Sequence, residues 1–207
     1  MPRNIVFVAP FPNDPTMRFL RALARLEDVR LLGVVHTPPP AAEVGLYSDL
    51  VRVSQPYEAR DLIEGVEILK RRHGEPYRIL GTLEGLMVPL AQAREHHRVA
   101  GTPVKTAELF REKPLMKDAL AAAGLPVARH RLLASAASAR AFAEEVGLPI
   151  VLKPPSGVGA QSTFRVRTQR ELLEAIEGMR VGPHAPVLAE DMLQGNEHSF
   201  ETITIGG

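Results

Sequence analysis

The sequence contains no cysteine, so disulfides, thiolate metal sites and cysteine nucleophiles are excluded from its chemistry. It has no excess of charge of either sign. Its 25 Lys and Arg stand against 24 Asp and Glu, a formal net charge of +1, which leaves no electrostatic footprint for nucleic acid or an anionic membrane. No apolar run approaches the roughly 18 residues needed to cross a bilayer. Met1-Pro2-Arg3-Asn4 leads into a short strand pattern rather than a signal-peptide apolar segment. A soluble cytoplasmic protein is the default expectation. The Lys-Ser/Thr phosphate loop and the Gly-x-Gly-x-x-Gly dinucleotide fingerprint are missing too. What remains is ordinary globular material: 45% hydrophobic residues over 207 positions can bury the core of one or two domains.

The first hundred residues alternate strand and helix. Ile5 to Ala9 is a buried-strand run closed by Pro10 and Pro12. Thr16 is expected to N-cap a helix from Met17 to Glu27 with Phe19, Leu20, Leu23 and Leu26 on one face. Val29 to Val35 is the next strand, which makes a right-handed parallel βαβ unit. Leu50 to Val53, a helix Glu58 to His73 stopped by Gly74, Ile79 to Thr82 and a helix Leu86 to His97 continue the alternation. A doubly wound α/β domain is predicted, with ligands at the carboxyl ends of its strands. Thr82 and Glu84 fall there, and Glu84 reads as a solvated loop acid.

Gly101-Thr102-Pro103 marks a boundary, with Thr102 expected as N-cap and Pro103 as the first helical residue. Lys113-Pro114 then breaks this helix and a second follows to Ala123. Beyond Gly124 the pattern turns mixed α+β: strand-like Val127 to Leu133, a helix capped by Ser138, and a helix from Gln169 opened by a Thr168/Glu171 capping box. Ile150-Val151-Leu152 is a buried strand that delivers Lys153 at its exit. Pro154-Pro155 stops it, Ser156-Gly157-Val158-Gly159-Ala160 is small and flexible, and Phe164 to Arg167 returns as a strand. Backbone N–H groups of such a loop can approach an anion, and the ammonium supplies a point charge. A plain hairpin with a snorkelling lysine fits the stretch equally well. The histidines show no paired metal-ligand spacing.

Four motifs in order carry a resemblance. They are Glu112-Lys113-Pro114-Leu115-Met116-Lys117 with Ala122 to Val127; Val146 to Pro154 with the small-residue loop; Val187 to Leu193; and Gly195-Asn196-Glu197-His198-Ser199. At this spacing they resemble the ATP-grasp superfamily of carboxylate–amine (or carboxylate–thiol) ligases. The resemblance implies a Rossmann-like pre-ATP-grasp domain over 1–101. It assigns 102–207 to the front of the ATP-grasp domain, with a mixed α+β lid at 127–193 and a first core strand at 199–205. It implies that Lys113 and Lys153 hold the ATP phosphates and that the loop from Ser156 through Gly157 and Gly159 to Gln161 folds over them. By the same resemblance the side chain or carbonyl of Glu190 faces the adenine amino group. The backbone of Asp191 to Leu193 pairs with the ring edge, and Glu197 accepts from the ribose hydroxyls. Lys117 reads as solvated.

The family's reaction turns a small-molecule carboxylate into an acyl phosphate with ATP, and an amine or similar nucleophile then displaces phosphate. Mg²⁺ is implied, with ligands on later strands of the core. The sequence stops at Gly207, just after the strand expected at Ser199 to Ile205. A chain ending there is expected to hold no metal ligands and to complete no turnover alone. Two further readings stay open: a non-catalytic nucleotide-binding module or half-enzyme that acts with a partner chain, and a small-molecule-binding α/β domain with an incidental Lys153 loop. A homodimer is compatible with either class; a nucleic-acid or membrane partner is not expected.

Overall fold

The computed structural model describes residues 2–156 and 163–202. Two compact units divide the chain, Met1–Met116 and Lys117–Gly207. The first runs β1 (Arg3–Val8), α1 (Asp14–Leu23), β2 (Val29–Val35), α2 (Ala41–Val44), β3 (Asp49–Arg52), α3 (Ala59–His73), β4 (Arg78–Leu80), a 3₁₀ turn at Glu84–Leu86, α4 (Met87–His96) and α5 (Val104–Arg111). Helix α6 (Lys113–Ala122) leads into the second unit. There β5 (His130–Leu133), α7 (Ala136–Val146), β6 (Ile150–Lys153), β7 (Phe164–Val166), α8 (Gln169–Gly178) and β8 (Val187–Asp191) follow.

In the first unit the strands lie in the order β3-β2-β1-β4, all parallel. A parallel sheet is covered on both faces, which is why its strands read as continuous apolar runs. Val6, Val8, Leu32 and Val34 pack with Leu62, Val66 and Leu69 of α3 and with Leu90 of α4. Their alternates Ile5, Phe7, Leu31 and Val35 pack with Met17 and Leu20 of α1 and with Tyr47.

Helix α1 starts earlier than its sequence suggests. The Asn13 side chain, not Thr16, is the cap: its Oδ1 accepts from the Thr16 N–H at 3.0 Å, and Thr16 is buried in the first turn. The helix therefore ends at Leu23, so Leu26 lies outside it, and Phe19, off the Met17–Leu20 stripe, is half exposed. Thr102 likewise gives way as N-cap to Pro103, whose carbonyl accepts from Ala107.

The second unit is an antiparallel sheet in the order β5-β8-β6-β7. One face carries the main apolar cluster. Leu133, Ile150, Leu152, Val166, Val187 and Ala189 meet Phe142 and Ala143 of α7 and Leu172, Ala175 and Ile176 of α8. Ser135 caps α7 in a reciprocal capping box, with Ser138 at its third position rather than at the cap. Thr168 caps α8, but the Glu171 carboxylate accepts from the Arg167 N–H instead of closing the box on Thr168. Residues 199–202 form no strand, and the rest of the strand expected at Ser199 to Ile205 lies outside the described residues.

Candidate functional site

Period-2 alternation sets the site. Ile150 and Leu152 point into the core, so Val151 and Lys153 stand on the opposite face of β6; Val187 and Ala189 do the same for Leu188 and Glu190 on β8. Register places Val151 against Glu190 and Lys153 against Leu188. Lys153 is thus the diagonal neighbour of Glu190, a spacing that a long side chain spans. Its Nζ donates to Glu190 Oε2 at 2.7 Å. Glu190 is therefore not an edge-strand charge, because β8 has a neighbour on each side.

A second ammonium joins this pair. Lys117, in the α6 segment belonging to this unit, places Nζ 3.4 Å from Glu190 Oε1. The three side chains retain 9% (Glu190), 13% (Lys117) and 23% (Lys153) of their exposure. Lys117 is not solvated, contrary to the sequence reading. Glu190 Oε1 is buried and has no hydrogen-bond partner, so the Lys117 charge is its compensation. Taking a carboxylate out of water costs several kcal/mol unless it is paired. Two ammonium groups around one carboxylate leave the cluster with one net positive charge, suited to an anion.

The other residues expected at the site are dispersed. Asp191 is held by Arg129, which donates from Nε to Oδ2 at 2.6 Å and from Nη2 to Oδ1 at 3.2 Å. Arg129 Nη2 also donates to the Val146 carbonyl at 3.1 Å, so Asp191 fastens the ends of β5 and β8. Leu193 is 74% exposed, and Glu197 is exposed in an irregular segment. Ser156 is half-buried; Gly157 and Gly159 lie outside the described residues. Lys113 opens α6, one turn before Lys117. In the first unit Glu84 is also more than a solvated acid: Arg111 Nη1 donates to its Oε1 at 3.1 Å. Sequence reasoning missed Lys117 and Arg129. The signal for Lys117 is its i+4 spacing from Lys113, which puts both on one stripe of a helix.

No family model matches the sequence. A segment of the chain is 32% identical over 110 residues to the carbamoyl phosphate synthase large chain of Methanothermobacter thermautotrophicus; it covers 53% of this chain and 10% of that one. The L-amino acid ligase of Bacillus licheniformis superposes with a TM-score of 0.74 at 18% identity, covering 93% of this chain and 45% of the ligase. In sequence and in fold the chain is similar to the N-terminal part of ATP-grasp carboxylate–amine ligases. A third ATP-grasp fold agrees. The biotin carboxylase domain of the 2-oxoglutarate carboxylase from Hydrogenobacter thermophilus, solved with MgADP, ADP and bicarbonate, gives a TM-score of 0.72 at 20% identity over 92% of this chain and 44% of that chain. The chain thus spans under half the length of these two solved structures and a tenth of the synthase.

The cationic cluster fits the phosphates of a nucleotide. Among the described residues no three His, Asp or Glu side chains converge on a site for a divalent metal. Among the same residues no helix is long and apolar enough to cross a membrane.

Proposed function

We propose that this chain is the ATP-binding portion of an ATP-grasp ligase that activates a carboxylate as an acyl phosphate. The substrate carboxylate oxygen attacks the γ-phosphorus of ATP and ADP leaves; an amine or similar nucleophile then attacks the acyl carbon and phosphate leaves. The observation that carries this reading is the Lys153–Glu190–Lys117 cluster on the face of the antiparallel sheet opposite its core. Lys153 and Lys113 are assigned to the phosphates, the loop of Ser156, Gly157 and Gly159 to their cover, and Glu197 to the ribose. Because the Glu190 carboxylate is engaged by ammonium groups, the backbone of residues 190–193 is assigned to the adenine edge. A cytoplasmic location and a small-molecule carboxylate belong to the same proposal. The Hydrogenobacter biotin carboxylase domain is a dimer, and a homodimer is proposed for this chain on that likeness.

Isothermal titration with ATP tests the assignment. Wild-type protein is expected to bind. Lys153→Met is expected to lose about 10- to 100-fold in affinity, the scale of one charged hydrogen bond, and Glu84→Ala to bind as wild type. Equal affinity in wild type and Lys153→Met would overturn the assignment of Lys153; loss only in Glu84→Ala would move the site to the parallel sheet.

A further inference from the structure

Lys153 is held by a carboxylate before any phosphate arrives, at 2.7 Å from Glu190 Oε2. The ammonium has three donors, one of them on Glu190, and a ligand that turns it fully away competes with that bond, while the carboxylate is nine-tenths buried. A buried carboxylate that loses its only counter-charge is strongly disfavoured. Glu190, however, has two, and they sit on different oxygens. Lys117 faces Oε1 at 3.4 Å, where no hydrogen bond is made, and it is the more buried of the two lysines. The more exposed lysine has room to move, and the more buried one is placed to stay.

We propose that Lys117 is a reserve counter-ion, a positioning residue that closes on Glu190 when Lys153 turns to the phosphates. The proposal rests on the nucleotide reading given above. In it, Lys117 does not touch the nucleotide. It lowers the cost of releasing Lys153, so the cradle exchanges one ion pair for another and leaves no bare buried charge. Without Lys117, release of Lys153 leaves Glu190 unpaired, and a proton is the replacement at hand. His130, the β5 register partner of Glu190, contacts the Ala128 carbonyl and Asp118 of α6, and Asp191 on β8 is held by Arg129.

The test is calorimetric titration of the intact protein with ATP between about pH 6 and 8, in buffers of different ionisation enthalpy, so that affinity and protons exchanged are both read. Lys117→Met is expected to bind about 10-fold more weakly at the alkaline end, to recover as pH falls, and to take up as much as one more proton than wild type. Lys117→Arg, which keeps the charge, is expected to restore most of the affinity. Lys117→Met/Glu190→Gln removes both the reserve and the group that needs it, and is expected to bind without the extra proton. A merely structural lysine would weaken binding without changing the proton count. Lys117→Met with wild-type affinity and proton count would overturn the proposal, as would a double variant as defective as the single one. If wild-type protein binds no ATP at all, the nucleotide reading fails first and the reserve role with it.

Discussion

Both sheets bury polar side chains, and they treat them differently. In the unit of the parallel sheet, Asn4, His97 and Arg94 donate to backbone carbonyls. Asn4, at the amino end of β1, donates from Nδ2 to His73 O at 2.8 Å, and contacts Gly74 O at 3.3 Å and Glu75 O at 3.2 Å. The buried His97 ring donates to Ile63 O at 3.1 Å, and Arg94 Nε to Ile79 O at 2.8 Å. In the antiparallel sheet the buried group is a carboxylate, and its partners are the ends of two long side chains. A carbonyl fixed in a helix or turn cannot leave, whereas an ammonium on a four-carbon stem can. The first arrangement locks a scaffold. The second holds a charge on side chains that are able to move.

Four substitutions break or sharpen that contrast. The largest effect is expected from Leu152→Ala, which opens a cavity beneath the strand that carries Lys153. A loss of about 2–5 kcal/mol in urea unfolding is expected, together with weakened ATP binding, because the register that brings Lys153 to Glu190 is loosened. Asn4→Ala comes next, at about 1–3 kcal/mol, since its removal leaves carbonyls at the Gly74 turn without their donor; ATP affinity should not change. His97→Gln is expected to act through pH. Burial holds the His97 imidazole below its ordinary value of 6.5, against the Ile63 hydrogen bond, which favours the charged form. The folded state therefore binds fewer protons than the unfolded one. This contribution is present above about pH 6.5 and is lost as pH falls toward the folded value. In the Gln variant this component of the stability–pH curve should flatten. Asp49 follows the same sign lower on the scale: the His73 hydrogen bond first, and then Arg72, hold its carboxyl below the usual carboxylate range against burial. The smallest effect is expected from Glu84→Gln, whose pair with Arg111 is partly exposed and worth about 0–1 kcal/mol in unfolding experiments.

The parallel unit was legible because strands buried on both faces give unbroken apolar runs. Val29–Val35 emerged with its observed bounds, and α3 began within one residue of its expected start. Caps were harder, because neighbouring side chains compete for one role. Ser135 and Ser138 can each accept from a helical N–H, and only the backbone conformation at 135 decides. Asn13 displaced Thr16 for the same reason. At the site, Lys153 and Glu190 were each readable as polar residues at strand ends. Their pairing was not, since it joins positions 37 residues apart through the β6–β8 register. Lys117 was misread because an i+4 neighbour of a lysine on a short helix looks solvated until the sheet beneath it is known.

Hydrogen exchange of the intact protein with and without ATP tests the central claim most directly. The account predicts that ATP slows exchange over residues 150–153 and 187–193 and leaves β1 and β2 unchanged. Protection confined to the carboxyl ends of β1 and β2, with none on β6 and β8, would contradict it and place the ligand on the parallel sheet.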